Sequence, residues 1–263
     1  MTESFDISAA LYDDVFTNSH IGKLQRKLVY SFLKRTLPKN QSLEILEINC
    51  GTGHDALWLA DQGHRVIATD ISTEMIAVAN RKLTATHNQP QFSQLDINKL
   101  NDKNFQHSFD LIFSDFGGLN CLSPAQLENF FIAAEKKLKP NGKIIGVIMP
   151  KACLLESIYF IMKGNLKKAF RRNTDKVVMA NVDGNDVSTW YYNPKNIEKT
   201  ANNLFTVDKV NPIGICIPPS YLESFFKNKL GLLKVLQKLD YLFNRFAFLS
   251  KYSDHYIISL SKR

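Results

Sequence analysis

Residues 44–70, EILEINCGTGHDALWLADQGHRVIATD, constrain the fold more than any other stretch of the chain. Glu44–Asn49 runs into apolar residues, Cys50-Gly51-Thr52-Gly53 turns sharply, and His54–Gly63 carries Leu57, Leu59 and Ala60 at helical spacing. Arg65–Thr69 is a second apolar run, closed by Asp70. Parallel strands joined by a short helix cross over right-handed, so the stretch reads as one βαβ unit. Its glycines let the backbone approach a ligand closely, and the helix start offers unpaired N–H groups to anything anionic. Asp70, at the tip of the second strand, is placed to accept hydrogen bonds from a ribose. A nucleoside-like cofactor is the expected ligand.

The pattern continues on both sides. Residues 5–17, with Tyr12, Asp13 and Phe16, read as a partly ordered arm, and Ile21–Leu37 as a helix with Ile21, Leu24, Leu28, Phe32 and Leu33 near the 3.6 period, stopped by Pro38. Beyond the unit come a helix over Ser72–Thr86, a strand over Gln91–Leu95, a strand over Phe109–Ser114, a helix over Pro124–Leu138 and a buried strand over Lys143–Met149. Such alternation specifies a parallel sheet covered on both faces, with ligands beyond the carboxyl ends of its strands. Asn49, Asp70, Asp96 and Asp115 all fall at those ends.

After Pro150 the alternation breaks. The spacing predicts a helix over Ala152–Phe170 and a hairpin of VVMANV with VSTWYY around Asp183-Gly184-Asn185-Asp186. It then predicts a helix over Pro194–Leu204, a strand over Phe205–Ile217, a helical Tyr221–Phe248 interrupted near Gly231, and a last strand over Asp254–Ser261. Charge shifts at the same point. Residues 1–150 hold 15 basic against 16 acidic side chains and residues 151–263 hold 18 against 9, so net charges of −1 and +9 make up the total of +8. A basic surface of this kind suits an acidic small substrate, a membrane face or RNA, and equally plain solvent. Its basic residues are scattered and Trp190, Tyr191 and Tyr192 lie in one hairpin with no RNA motif, which argues against nucleic acid. The apolar residues among the lysines suit a cap over an apolar substrate, or an amphipathic face resting on a membrane.

Glu47-Ile48-Asn49-Cys50-Gly51-Thr52-Gly53 resembles the first motif of class I S-adenosylmethionine-dependent methyltransferases, E/D-x-G-x-G-x-G, with Asn49 in place of the first glycine. Asparagine tolerates left-handed backbone better than other non-glycine residues, so the turn survives the exchange. Asp70 matches that family's acid after the second strand, and Asp96 in QLDIN the residue that reads the adenine amino group. Ser114-Asp115-Phe116-Gly117-Gly118 matches the loop after the fourth strand, and Leu138-Lys139-Pro140-Asn141-Gly142-Lys143 the turn into the fifth.

The resemblance implies an α/β, Rossmann-like sheet of seven strands, mostly parallel with an antiparallel last strand, helices on both faces and a helical and hairpin cap insert. It divides the chain into an arm and lid helix (1–40), a cofactor core (41–150), a cap with the sixth strand (151–253) and a final strand (254–263). It implies S-adenosylmethionine as cofactor, S-adenosylhomocysteine as product and no metal. The binding set is Glu47, Asn49, Cys50, Gly51, Gly53, Asp70, Ile71, Asp96, Ile97, Asp115 and Phe116, with Tyr12 and Arg26 touching the methionine end and Arg26 pairing with its carboxylate. A small apolar or aromatic hydroxyl compound is the expected acceptor. Methyl transfer needs positioning more than chemistry, so no base stands out. Asp115, His20, His255 and Tyr191 are candidates by position, with Tyr192 beside them.

Two other readings stay open here: a nicotinamide-dependent oxidoreductase, which shares the βαβ unit but wants a third glycine, and a non-catalytic cofactor-binding protein. The oligomeric state is not legible. Four cysteines without C-x-x-C spacing read as reduced core thiols, and no segment reads as a signal peptide or membrane span, so a soluble, cytoplasmic protein is expected.

Overall fold

The computed structural model describes residues 2–84, 88–103, 105, 108–182 and 185–263. The chain begins with α1 (Thr2–Ser8), a π-helical turn (Asp13–Thr17) and α2 (His20–Thr36). The Ser19 side chain caps α2 by accepting from Gly22 N. Next come β1 (Glu44–Ile48), α3 (His54–Asp61), β2 (Arg65–Asp70), α4 (Thr73–Arg81), β3 (Gln91–Gln94), β4 (Phe109–Ser114), α5 (Pro124–Lys137) and β5 (Leu138–Ile148). The last third adds α6 (Leu154–Met162), α7 (Leu166–Ala169), the hairpin β6 (Val178–Val182) and β7 (Asn185–Thr189), and α8 (Pro194–Ala201). It closes with β8 (Phe205–Ile213), α9 (Glu223–Phe226), α10 (Leu230–Phe243) and β9 (His255–Lys262).

Seven strands form one sheet in the order β3-β2-β1-β4-β5-β9-β8, and β6 and β7 pair separately. Strands β1 to β5 are parallel, and β9 runs antiparallel to both β5 and β8. Neighbouring residues of a strand face opposite ways, so Ile45 and Leu46, or Ile257 and Ile258, serve two cores. One core gathers Leu46, Ile112, Phe131 and Tyr256 beneath α5 and α8; the other gathers Ile45, Phe113, Ile145 and Ile257 with Leu28 and Phe32 of α2. Each fully buried Leu, Ile or Phe contributes about 1.5–3 kcal/mol. Among the described residues no helix is long and apolar enough to cross a membrane.

Several expected elements are shorter or broken, each for a local reason. The helix expected over 152–170 is two: Gly164, at φ +69°, ends α6, and the Asn165 side chain caps α7. The hairpin's second strand stops at Thr189 because Trp190 N donates to Asn120 O and Tyr192 N to Met149 O, drawing the chain onto the core loops. Its Asp183-Gly184 corner lies outside the described residues, as do Thr86 at the expected end of the second core helix and His107 in the loop before β4. The strand expected to reach Ile217 ends at Ile213, where Gly214 takes φ +73°. Gly231 lies inside the first turn of α10, and the break falls at Lys227–Lys229 instead.

Candidate functional site

The carboxyl ends of β1, β2 and β4 meet at one cleft. Three residues after β1 reverse the chain in left-handed conformation: Asn49 (φ +57°), Gly51 (φ +52°) and Gly53 (φ +76°). Gly53 is required by packing, since a Cβ there would stand 2.5 Å from the Phe92 ring. Asp70, ending β2, grips this turn: its Oδ2 accepts from Gly51 N at 2.8 Å and its Oδ1 from Ser72 N at 3.0 Å. Burial raises its pKa, and these backbone N–H groups oppose the rise. Each carboxylate oxygen keeps a second lone pair for another donor.

Asp96 accepts from Asn98 N at 2.9 Å, opening a short 3₁₀ turn that places Ile97 and Asn98 along the rim. After β4, Asp115 accepts from Phe116 N at 2.9 Å while its Oδ2 is buried without a protein partner. Phe116 (φ +38°) and Gly117 (φ +83°) turn the chain into a second wall. The N-terminal arm forms the roof. Asp13 accepts from Thr52 Oγ1 at 2.7 Å and pairs with Lys82 Nζ at 2.5 Å, and Asp6 accepts from Ser72 Oγ at 2.5 Å.

The cleft is lined by Tyr12, Asn49, Gly51, Asp70, Ile71, Asp96, Ile97, Asp115 and Phe116 from the expected set. Phe5, Met75, Asn98, Gly117, Gly118, Cys121 and Leu122 complete it. Phe5, Cys121 and Leu122 carry no signal in the sequence; the arm's docking and the turn after Gly117 bring them in. Cys50 faces the core and Gly53 packs under α4, so neither lines the cleft.

Behind the cleft is a buried charged cluster. Arg26 Nε donates to Asp55 Oδ1 at 2.8 Å and Nη2 to Oδ2 at 3.4 Å, while Tyr30 donates to Asp55 Oδ1 at 2.6 Å. The guanidinium lies 5.5 Å from the Phe16 ring centroid and 5.1 Å from that of Phe116. Asp55 therefore holds the fork expected to be free for a ligand, and Nη1 is the nitrogen left without a protein partner. Asp55 was not foreseen; an acid just after a glycine turn reads as an ordinary first-turn helix residue. Glu47, also buried, keeps Oε2 without a partner. Burial first, and then the Asp55 charge, push the pKa values of Glu47 and Asp115 well up.

The candidate bases separate. Asp115 lines the cleft. His255, buried at the start of β9, meets Phe116 edge-on at 5.5 Å, and its Nδ1 lies 3.2 Å from Asp254 Oδ2. Asp254 is held by Arg172 at 2.8 Å and by Gln25 at 3.0 Å. His20 is exposed and paired with Glu223, and Tyr191 is buried beneath Arg172, 5.4 Å from its guanidinium. Neither lines the cleft, and Tyr192 is spent donating to Leu122 O.

Fold and cleft define an α/β protein with a cleft at the carboxyl ends of the strands of a Rossmann-like sheet. Residues 45–142 match the model of a methyltransferase domain family. A malonyl-[acyl-carrier protein] O-methyltransferase of Marinomonas sp. (strain MWYL1) is 31% identical over 122 residues, 46% of this chain and 43% of that protein. The chain thus spans under half the length of that relative. A putative S-adenosylmethionine-dependent methyltransferase from Listeria monocytogenes has the same fold at TM-score 0.64, with 18% identity over 92% of this chain and 99% of that one. The magnesium protoporphyrin IX methyltransferase of Synechocystis PCC 6803, with bound SAH, superposes at TM-score 0.55 and 14% identity over 93% and 84% of the two chains. Residues 45–142 thus carry a methyltransferase-domain match, on a fold shared with solved S-adenosylmethionine-dependent methyltransferases.

Proposed function

We propose that the protein transfers a methyl group from S-adenosylmethionine to a small-molecule acceptor, as an O-methylation of an apolar or aromatic compound. One observation carries the reading: three buried polar atoms without protein partners, one lining the cleft and two behind it, suit the methionine end of the cofactor. Glu47 Oε2 and Asp115 Oδ2 suit an ammonium, and Arg26 Nη1 suits a carboxylate. In this reading Asp70 takes the ribose hydroxyls, Asp96 and Ile97 the adenine, and Tyr12 closes over the top. The cleft's volume of about 130 Å³ is smaller than the roughly 300 Å³ at which ligand pockets begin. Lifting of the arm bearing Phe5 and Tyr12, which both line the cleft, would widen it for entry.

When bound, the cofactor supplies a methyl group on a sulfonium, open to in-line attack by the acceptor oxygen. The chain's part is to align the acceptor with that carbon and exclude water. Phe116 forms the wall between cleft and His255. His255 itself lies outside the cleft lining, its Nδ1 3.2 Å from Asp254 Oδ2, and in this reading it is the base for an acceptor seated at the Phe116 edge. The O-methylation in the name of the Marinomonas protein agrees with transfer to an oxygen.

Titration calorimetry with S-adenosylhomocysteine, followed by labelled-methyl transfer to a panel of apolar hydroxyl compounds, tests the proposal. Binding and turnover support it. Stabilisation by NADH alone points to an oxidoreductase, and cofactor binding without transfer to the panel or to cell extract points to a non-catalytic role.

A further inference from the structure

Helix α10 is turned partly inside out. Leu233, Asp240 and Asn244 face the protein, where Asp240 accepts from the backbone N–H groups of Ile215, Cys216 and Ile217 and so fixes the helix to the loop after β8. Leu232, Val235, Leu239 and Leu242, at helical spacing, face solvent at 46%, 54%, 38% and 49% exposure. Beside that stripe run Lys234, Lys238 and Arg245, all exposed.

The surface continues beyond the helix. Phe160 of α6 stacks on exposed Tyr221 at 6.2 Å, and Leu154 N donates to the carbonyl of exposed Tyr252. These contacts join α6 to the turns before α9 and after α10, and α6 and α7 add exposed Ile161, Met162 and Leu166 to the apolar side chains of this part of the protein. Large apolar side chains in such number exceed the scattered singles normal for a surface.

Charge decides what covers them. The acids of these segments are all consumed internally: Glu156 by Arg171 and Arg172, Glu223 by His20 and the start of α2, and Asp240 by the loop it caps. The lysines Lys163, Lys167, Lys168, Lys227, Lys229, Lys234 and Lys238 stay exposed. A surface of one sign repels a second copy of itself in face-to-face contact, whereas an anionic bilayer accepts both lysines and apolar side chains. We infer that α10, with α6 and α7, is a peripheral docking surface for anionic membranes. The helix lies in the headgroup plane with the Leu232–Leu242 stripe entering the acyl boundary. The inference is independent of the methyl-transfer reading.

The test is co-sedimentation of the full chain with phosphatidylcholine vesicles, with and without phosphatidylserine. Binding is expected with phosphatidylserine alone and is released by high salt. Lys234→Glu/Lys238→Glu should lower the partition by about tenfold or more. Leu232→Ser/Leu239→Ser should lower it comparably while leaving S-adenosylhomocysteine affinity as in the parent. No binding to anionic vesicles overturns the inference. So does a dimer in light scattering that the leucine variant dissociates, which would assign the face to self-association. Retained vesicle binding in both variants overturns it too.

Discussion

Gly118 lies directly against Asn49: a Cβ built at Gly118 would stand 2.6 Å from the Asn49 Cβ and 2.7 Å from its Cγ. The asparagine that departs from the glycine of the first motif is thus accommodated by a glycine in the loop after β4. Asparagine tolerates the left-handed backbone, here φ +57°, better than other non-glycine residues, but only the space at 118 gives its side chain room.

Gly118→Ala should therefore displace the wall of the cleft, destabilising the protein by about 1–3 kcal/mol and weakening S-adenosylhomocysteine binding. Adding Asn49→Gly removes the colliding atoms and suits the left-handed backbone, so the double variant should recover most of both losses. Urea unfolding and calorimetry on the double-mutant cycle measure the recovery; additive losses would show that the two positions are not coupled.

Asp70→Ala removes the acceptor for Gly51 N and Ser72 N together with the proposed ribose contact. Cofactor affinity should fall by about 1–3 kcal/mol. Asp70→Asn, which keeps one acceptor oxygen, should lose less. Unchanged calorimetric affinity in the alanine variant would remove Asp70 from the site.

Cofactor binding should release protons. Burial, and next the Asp55 charge, raise the pKa values of Glu47 and Asp115 well above the carboxylate range. A ligand cation placed beside them lowers those values, so protons leave on association and affinity rises with pH. Calorimetry in two buffers of different ionisation enthalpy reads the release; identical heats would place the ammonium elsewhere.

His255→Phe should keep the edge contact with Phe116 and leave S-adenosylhomocysteine affinity unchanged, while lowering kcat on a hydroxyl acceptor by about 10²–10⁴-fold. A full-rate variant would show that positioning alone carries the transfer.

Arg172 bridges Glu156 at 2.6 Å and Asp254 at 2.8 Å. Burial opposes ionisation of Asp254, yet His255 and Arg172 hold its carboxyl well below the usual range; burial of Glu156 is likewise outweighed, first by Arg172 and then by Arg171. Acids with depressed folded pKa values stabilise fully above about pH 4 and lose that stability as pH falls toward the folded values. Arg172→Met should cost about 3–5 kcal/mol near neutral pH. Its Tm deficit should shrink toward pH 4, where the stranded carboxyls take up protons. A deficit constant with pH would mean that lost packing, not charge, is responsible.

The sequence by itself determined the sheet and the position of the site. Alternating strands and helices leave one arrangement of βαβ units, and the residues closing β1, β2 and β4 must then face the same edge. It also specified Asp70, Asp96 and Asp115 as residues of that edge, because a strand's end is a local property. What only the tertiary structure decided is partnership across the chain. Arg26 meets Asp55 because α2 crosses the start of α3, His20 meets Glu223 203 residues away, and Asp240 caps a loop 23 residues earlier. Periodicity marks which residues leave water, but it holds no information about which charged group from a distant segment arrives beside them. For the same reason the sequence leaves α10 open between a cap over a substrate and an amphipathic face, and only the fold turns its leucine stripe outward.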